Sequence, residues 1–271
     1  MANFERAKKQ QGVQGVEIGV TLAHLLASGS KPMALGELAK TAGLAPSKVH
    51  RYLVSLTRMR IVEQTSNGQY RLGSGALALG LSALNQLDIY QVAEKFMTQL
   101  YDDLGVGISA MIWGDGGPTV IRRIEPLDQI MVTTRIGSIV PIVPSAAGRL
   151  FAAFLPAHVV DKKLDAEFAG GRQFTSNAQP ITRTDFRNIL ADVRQKGYAT
   201  VHGDFLRGFD AIAVPIFNHE SQIAMTISVV APEGTIDLGE KSPQLLVLRR
   251  AGQDMSVRLG YDPGLVYRKH M

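Results

Sequence analysis

The chain has 271 residues, which at about 100 to 200 residues per domain predicts two domains. Hydrophobic residues make up 45% and charged residues 20%, a composition that excludes a disordered chain and supplies apolar surface for two cores. Cysteine is absent, which excludes disulfides, thiolate metal sites and a cysteine nucleophile together. The longest apolar run, Ala76 to Leu84, is about half of the 18 or more residues a membrane span needs, so no membrane association and a cytoplasmic location are expected.

The net charge of +5 is unevenly spread: residues 1–72 hold ten Lys and Arg against four Glu, whereas the remainder holds 19 basic and 20 acidic groups. A small basic unit joined to a larger neutral one points to a polyanion binder attached to a part that does not touch the polyanion. A solvated basic face or a membrane-surface patch would fit the charge alone equally well.

The opening MANFERAKKQQ has charges but no apolar stretch behind them, and reads as a mobile tail rather than a signal peptide. Val16 to Leu26 follows as an amphipathic helix, with Val16, Val20, Ala23 and Leu26 at helical spacing, Ile18, Leu22 and Leu25 alongside, and Gly29 and Pro32 at its end. In LGELAKTAGLAPSKVHRYLVSL, Leu35, Leu38 and Ala39 line a short helix that stops at Ala42-Gly43, where glycine permits a left-handed turn. Pro46 then opens a second helix at a position where its missing N–H costs nothing. Val49, Tyr52, Leu53 and Leu56 form its packing stripe, and Ser47, Lys48, Arg51, Ser55 and Arg58 lie opposite. Two short helices around a glycine turn, the second basic on its outer face, predict a helix-turn-helix whose second helix enters the major groove of double-stranded DNA. IVEQTSNGQYRL predicts a wing of two strands joined by a type I′ turn at Asn67-Gly68.

Pro46, Ser47, Lys48, His50, Arg51, Ser55, Arg58 and, on the wing, Arg71 are therefore the candidate DNA-binding residues. Arg51 suits bidentate bonds to guanine, while Lys48, Ser47 and the helix N-terminus suit phosphates. His50 fits a phosphate contact or the edge of the packing stripe, and Arg71 a phosphate contact or a solvated strand end.

From Ser74 to about Gly105 the period is helical, and the apolar, glycine-punctuated part of this connector is expected to pack against a copy of itself. Beyond it VGISAMIW, TVIRRI and IMVTTR read as strands. Helices follow at Ser145 to Leu155, near Val159 to Phe168, and from Thr182 or Thr184 to Lys196. AIAVPIF and QIAMTISVV are strands around a turn at Asn218 to Ser221, and Ser242-Pro243 opens a last helix running to Gly260. Strands, then helices, then strands describe an α+β domain, not a doubly wound parallel sheet.

Four ordered blocks now carry a resemblance: the helix-turn-helix above with its wing YRLG, then RIGSIVPIVPSAAGRLFAAFLP, QKGYATVHGDFLRGFDAIAVPIF, and ISVVAP. From about Gly12 to Gly260 the chain resembles transcriptional regulators of the IclR family. The resemblance implies a winged helix-turn-helix over residues 1–73, a linker helix over 74–88 and a GAF-like effector-binding domain over 89–271. It also implies a homodimer or dimer of dimers on partly palindromic operators, often beside genes for carbon-source or aromatic catabolism. Mapped onto this sequence, the effector-facing positions are Val140, Ala146, Ala147, Val201, Ala211, Ser228 and Val230.

Family members that bind small oxoacids usually have an acidic run where this chain has Val201-His202-Gly203-Asp204, and a cysteine where it has Ala211. Alanine and valine leave little to hydrogen-bond a small dicarboxylate, so an aromatic or otherwise hydrophobic acid is expected, its carboxylate at the start of the Ala146-Ala147 helix.

No catalytic constellation stands out. Gly105 to Ala110 matches GxGxxA but runs into a strand, so no helix N-terminus would receive a phosphate. There is no GxSxG elbow or Walker loop, the six histidines lack zinc-ligand spacing, and Asp102-Asp103 reads as a solvated helix end. A ligand-responsive DNA-binding regulator without a cofactor is the expectation, with a sensing enzyme or enzyme regulator carrying a basic helical domain as the alternative.

Overall fold

The computed structural model describes residues 12–29, 31–86, 88–126, 134–171, 173–176 and 179–262. The MANFERAKKQQ segment and most of the IMVTTR run lie outside them. The chain divides into two compact units between Leu87 and Asp88.

The N-terminal unit contains α1 (Gln14–Ser28), α2 (Leu35–Ala42), α3 (Pro46–Arg58), the hairpin β1 (Val62–Gln64) and β2 (Tyr70–Leu72), and α4 (Ser74–Gln86). Its core is Leu22, Leu26, Leu38, Ala39, Val49, Leu53, Val62 and Tyr70. Gly43 ends α2 in the left-handed conformation, with φ +65°, and Pro46 occupies the start of α3, as the sequence indicates. The stripe expected on α1 is corrected at two positions: Val16 and Val20 are exposed, while Ile18, Leu22, Leu25 and Leu26, which share the helical spacing, pack into the core. Both sets repeat at helical spacing, and only the position of α2 and α3 selects between them.

The wing turn is corrected as well. Gly68 has φ +76°, but no positive φ occurs at Asn67, so the turn is not type I′. Gly68 N donates to Thr65 O at 2.9 Å and Thr65 N to Gln69 O at 2.8 Å, the pattern of a three-residue loop with one left-handed glycine. The Thr65 hydroxyl accepts from Gln69 N at 3.2 Å, favouring this loop over the two-residue one.

The helical period from Ser74 to Gly105 is realised as two helices. The second is α5 (Ile89–Leu104), whose N-cap Asp88 accepts from Tyr90 N at 2.9 Å and Gln91 N at 3.3 Å. A capping carboxylate satisfies the first amides of a new helix and so stabilises the break.

The C-terminal unit continues with β3 (Gly107–Gly114), β4 (Gly117–Ile124), α6 (Ala146–Phe154), α7 (Ala157–Ala169), β5 (Phe174–Ser176), β6 (Gln179–Ile181), α8 (Arg183–Lys196), β7 (Ala199–His202), β8 (Phe209–Phe217), β9 (Ile223–Pro232) and α9 (Pro243–Arg258). Five strands form an antiparallel sheet in the order β4-β3-β9-β8-β7. One face packs on α5 and α9 through Ile108, Ile212, Ile227 and Val229. The other packs on α6 and α8 through Met111, Ala213, Leu150 and Phe186. The chain thus has the expected mixed architecture, an N-terminal winged helix-turn-helix and a C-terminal α+β sheet domain. Sequence periodicity did not separate out β7 or the small β5-β6 hairpin, in which Pro180 argues against a strand. α9 ends at Arg258, two residues before Gly260.

Candidate functional site

On α3, Pro46, Ser47, His50, Arg51, Ser55 and Arg58 are exposed and Lys48 is half-buried, while Val49 and Leu53 on the opposite side are fully buried. Among the described residues Lys48, Arg51 and Arg58 have no acidic partner within 4.0 Å, whereas Arg71 Nε on the wing meets Glu63 Oε1 at 2.6 Å. One helix face therefore carries uncompensated positive charge on a rigid support. Such a face attracts a polyanion and can present side chains to base edges.

In the C-terminal unit a cavity with about 580 Å³ of space between its walls, including its mouth, lies against the sheet face that packs on α6. All seven positions mapped from the sequence line it: Val140, Ala146, Ala147, Val201, Ala211, Ser228 and Val230. Strand register explains the floor. Val201 of β7 pairs with Ala211 of β8, and Ala211 with Val230 of β9, giving one apolar row. Two residues along, Ser228 of β9 pairs with Ser109 of β3 and Ser109 with Arg123 of β4, giving a second, polar row. Side chains two apart on a strand share a face. Phe205, Leu206 and Phe209 add further apolar wall.

The start of α6 forms another side. Ser145 caps it, its hydroxyl accepting from Gly148 N at 3.0 Å and donating to Pro141 O at 2.6 Å. The preceding segment is tied down by Glu167 of α7, which accepts from Ile142 N at 2.6 Å and Val143 N at 3.1 Å. The amides of Ala146 and Ala147 have no protein acceptor among the described residues. These are the donors a helix N-terminus offers to an anion.

Several groups near the cavity escaped sequence reasoning. Arg123 is its one cationic lining residue among those described. Asp210 also borders it, but strand alternation turns its side chain to the far face. There Asp210 Oδ1 lies 2.7 Å from His202 Nδ1, and its second oxygen accepts from Gly234 N at 3.1 Å. Burial among hydrophobic neighbours would otherwise leave this carboxylate unpaired, and the hydrogen bond and charge of Asp210 raise the pKa of His202. The GxGxxA match has no phosphate-binding geometry, since Gly105 is the left-handed cap of α5 and the rest leads into β3. Among the described residues no group of three or more His, Asp or Glu is placed to hold a metal ion, and no helix is long and apolar enough to cross a membrane.

Residues 81–257 match the family described as bacterial transcriptional regulator IclR C-terminal, and residues 15–66 match the IclR helix-turn-helix domain. The chain belongs to the IclR family of transcriptional regulators. It is 27% identical over 252 residues to the HTH-type transcriptional regulator XynR of Escherichia coli K12, covering 92% of this chain and 98% of that one. Among solved structures it is similar to HmgR of Pseudomonas aeruginosa, with 30% identity, a TM-score of 0.80, and 93% and 100% of the two chains covered. An IclR homolog from Microbacterium hydrocarbonoxydans, solved in complex with 4-hydroxybenzoate, shares the fold at 20% identity and a TM-score of 0.54, with 91% and 99% covered. This IclR regulator is thus a ligand-responsive transcription factor rather than an enzyme. Its DNA-binding and effector functions correspond to its two family segments.

Proposed function

We propose that this IclR regulator controls a catabolic operon by binding double-stranded operator DNA as a homodimer or dimer of dimers, and that an aromatic or otherwise hydrophobic carboxylic acid in the cavity alters that binding. Pro46, Ser47, Lys48, His50, Arg51, Ser55 and Arg58 on α3, with Arg71 on the wing, are the DNA contacts in this reading. Val140, Ala146, Ala147, Val201, Ala211, Ser228 and Val230 are the effector contacts.

The observation that carries the effector class is the wall chemistry: Val140, Val201, Ala211, Val230 and the Phe205-Leu206 pair give the cavity a mainly apolar lining with few polar groups, the chemistry of a small-molecule site. Burying a ring there at about 25 cal/mol per Å² of apolar surface offsets the entropic cost of association with few hydrogen bonds. A two- or three-carbon oxoacid has too little apolar surface to compensate in that way. An aromatic acid, 4-hydroxybenzoate, is the molecule in complex with the Microbacterium homolog. Self-association is supported by Leu77, Leu79 and Leu81, which α4 leaves exposed in the single chain.

The test is an anisotropy titration of labelled promoter DNA from the flanking genes with the regulator, in the presence of benzoate-class acids, glyoxylate or pyruvate. A response to an aromatic acid at micromolar to millimolar concentration, and none to the oxoacids, is expected. A response to pyruvate and to no aromatic acid would overturn the effector class, and a monomer in sedimentation at micromolar concentration would overturn the dimer.

A further inference from the structure

The proposed effector is an acid, and two walls of the cavity compete for its charged end. The start of α6 offers two amides. The polar row across the sheet offers more. Arg123, Ser109 and Ser228 lie directly opposite one another on β4, β3 and β9, with neighbouring strands about 4.8 Å apart, and all three line the cavity.

The Arg123 side chain is only 9% exposed and is held in position. Nη1 donates to the Thr134 carbonyl at 2.9 Å and also to the Thr134 hydroxyl, and Nε forms an ion pair with Glu125. Ser109 is 4% exposed, and its hydroxyl has no hydrogen-bond partner among the described residues. The hydroxyl of Ser228 makes one long contact, 3.4 Å to the carbonyl of Ser109. Both hydroxyls line the cavity and keep hydrogen-bonding capacity there, and a guanidinium in the same row makes the wall suited to an oxyanion. Glu125, whose side chain is 40% exposed, keeps its pair with Nε, and a carboxylate inside the cavity would meet the same guanidinium from the buried side, at lower dielectric.

We infer that Arg123 determines specificity for acids over neutral analogues: the carboxylate of the effector is received at the Arg123–Ser109–Ser228 row rather than at the start of α6. Backbone amides and a guanidinium both give an oxyanion charge-assisted hydrogen bonds, but only the guanidinium adds a full opposite charge, which is what separates an acid from its neutral analogue. The ring then lies toward Val201, Ala211 and Val230, the apolar row two residues along the strands.

This inference rests on the effector reading above, and the experiment separates the two. Binding of benzoate and of its neutral isostere benzamide is measured by calorimetry on the full-length parent, Arg123→Met, Arg123→Lys and Ser109→Ala, with the unliganded melting temperature as the folding control. The parent should prefer benzoate. Arg123→Met should lose benzoate affinity about ten- to a hundredfold while benzamide changes by less than about twofold, with Arg123→Lys between. If Arg123→Met fails to fold, Ser109→Ala decides, with a loss of about three- to tenfold for benzoate alone. An undiminished benzoate preference in Arg123→Met, or in Ser109→Ala where that variant decides, overturns the inference and leaves the aromatic-acid reading standing. Should the parent bind pyruvate but not benzoate, that reading fails, and the same variants with pyruvate against its amide decide the role of Arg123. If the parent binds neither acid, both fall.

Discussion

Arg149 and Asp204 meet at 2.8 Å with 4% and 2% of their side chains exposed. Arg149 Nε also donates to Val143 O at 3.0 Å and Nη1 to Thr200 O at 3.1 Å. Burial works against the charge on Arg149, and the attraction and hydrogen bond of Asp204 work for it; a guanidinium nonetheless stays protonated. The pair fastens the first turn of α6 to the segment that leads into Phe205 and Leu206, so two walls of the cavity depend on it. Asp204→Ala should cost about 3 to 5 kcal/mol, because it strands a buried cation, and Asp204→Asn less. Urea unfolding read in the C-terminal unit checks this, and a cost below about 1 kcal/mol for Asp204→Ala would contradict it.

Gly148 illustrates a second constraint at the same helix start. A Cβ there would press on the carbonyl oxygen and Cα of Ile142 and sit 2.7 Å from Ser145 Oγ. Alanine normally stabilises a helix relative to glycine by about 1 kcal/mol, but here the chain entering α6 would have to move. Gly148→Ala is therefore expected to destabilise by about 1 to 3 kcal/mol. A melting temperature at or above that of the parent would show that the Ile142 backbone yields freely.

On α3, Arg51→Ala should weaken specific operator binding by about 1 to 3 kcal/mol and relax sequence preference. Lys48→Ala should weaken binding to all sequences alike and flatten its salt dependence. Both are measured by anisotropy with operator and scrambled duplexes over a salt series. Parent-like binding by both variants at physiological salt would move the reading helix elsewhere.

These sites were unequally legible in the sequence. The glycine and proline that bound α2 and α3 act locally, and their effect is visible in four or five residues. The cavity positions combined a resemblance with the period-two alternation of β9, which puts Ser228 and Val230 on one face. Arg123 was not legible, because Arg122 and Arg123 are adjacent and alternation sends them to opposite faces. Arg122 pairs with Glu94 of α5 and Arg123 enters the cavity, and the register that decides this includes a shift between Ala110 and Met111. The break at Asp88 had a local signal, a capping carboxylate, but the helical period continues on both sides of it. The exposure of Val16 and Val20 had no local signal, because a helix with two apolar stripes does not say which one its neighbours will cover.

His202 gives a pH prediction. Its Nδ1 bonds the buried carboxylate of Asp210 and its Nε2 lies 3.2 Å from Glu233. The hydrogen bond to Asp210, then the charge of Asp210, raise its pKa above the usual 6.5, with smaller contributions from Glu233 and Asp204 against slight desolvation. A folded-state pKa above the unfolded value means that the stabilisation is fully present below about pH 6.5 and is lost as pH rises through the folded value. The stability gap between the parent and His202→Asn should therefore be larger at pH 6 than at pH 9 in urea midpoints. An identical gap at both pH values would show that the contact does not depend on protonation.

Ala147 offers the sharpest separation of sensing from DNA binding. Its side chain is buried at the start of α6 and lines the cavity, whereas the basic face of α3 belongs to the N-terminal unit. Ala147→Phe would direct a ring into the space proposed for the ring of the effector, and the two cannot share it. The variant should bind operator DNA as the parent does and show no change on addition of an aromatic acid. Overpacking by a full ring can itself cost about 1 to 3 kcal/mol, so Ala147→Val, with two added methyl groups, serves as a graded companion and should respond at a raised acid concentration. An undiminished response in both variants would remove Ala147 from the effector wall without touching the assignment of the cavity. Loss of operator binding in both would show instead that the start of α6 acts on DNA binding without any ligand.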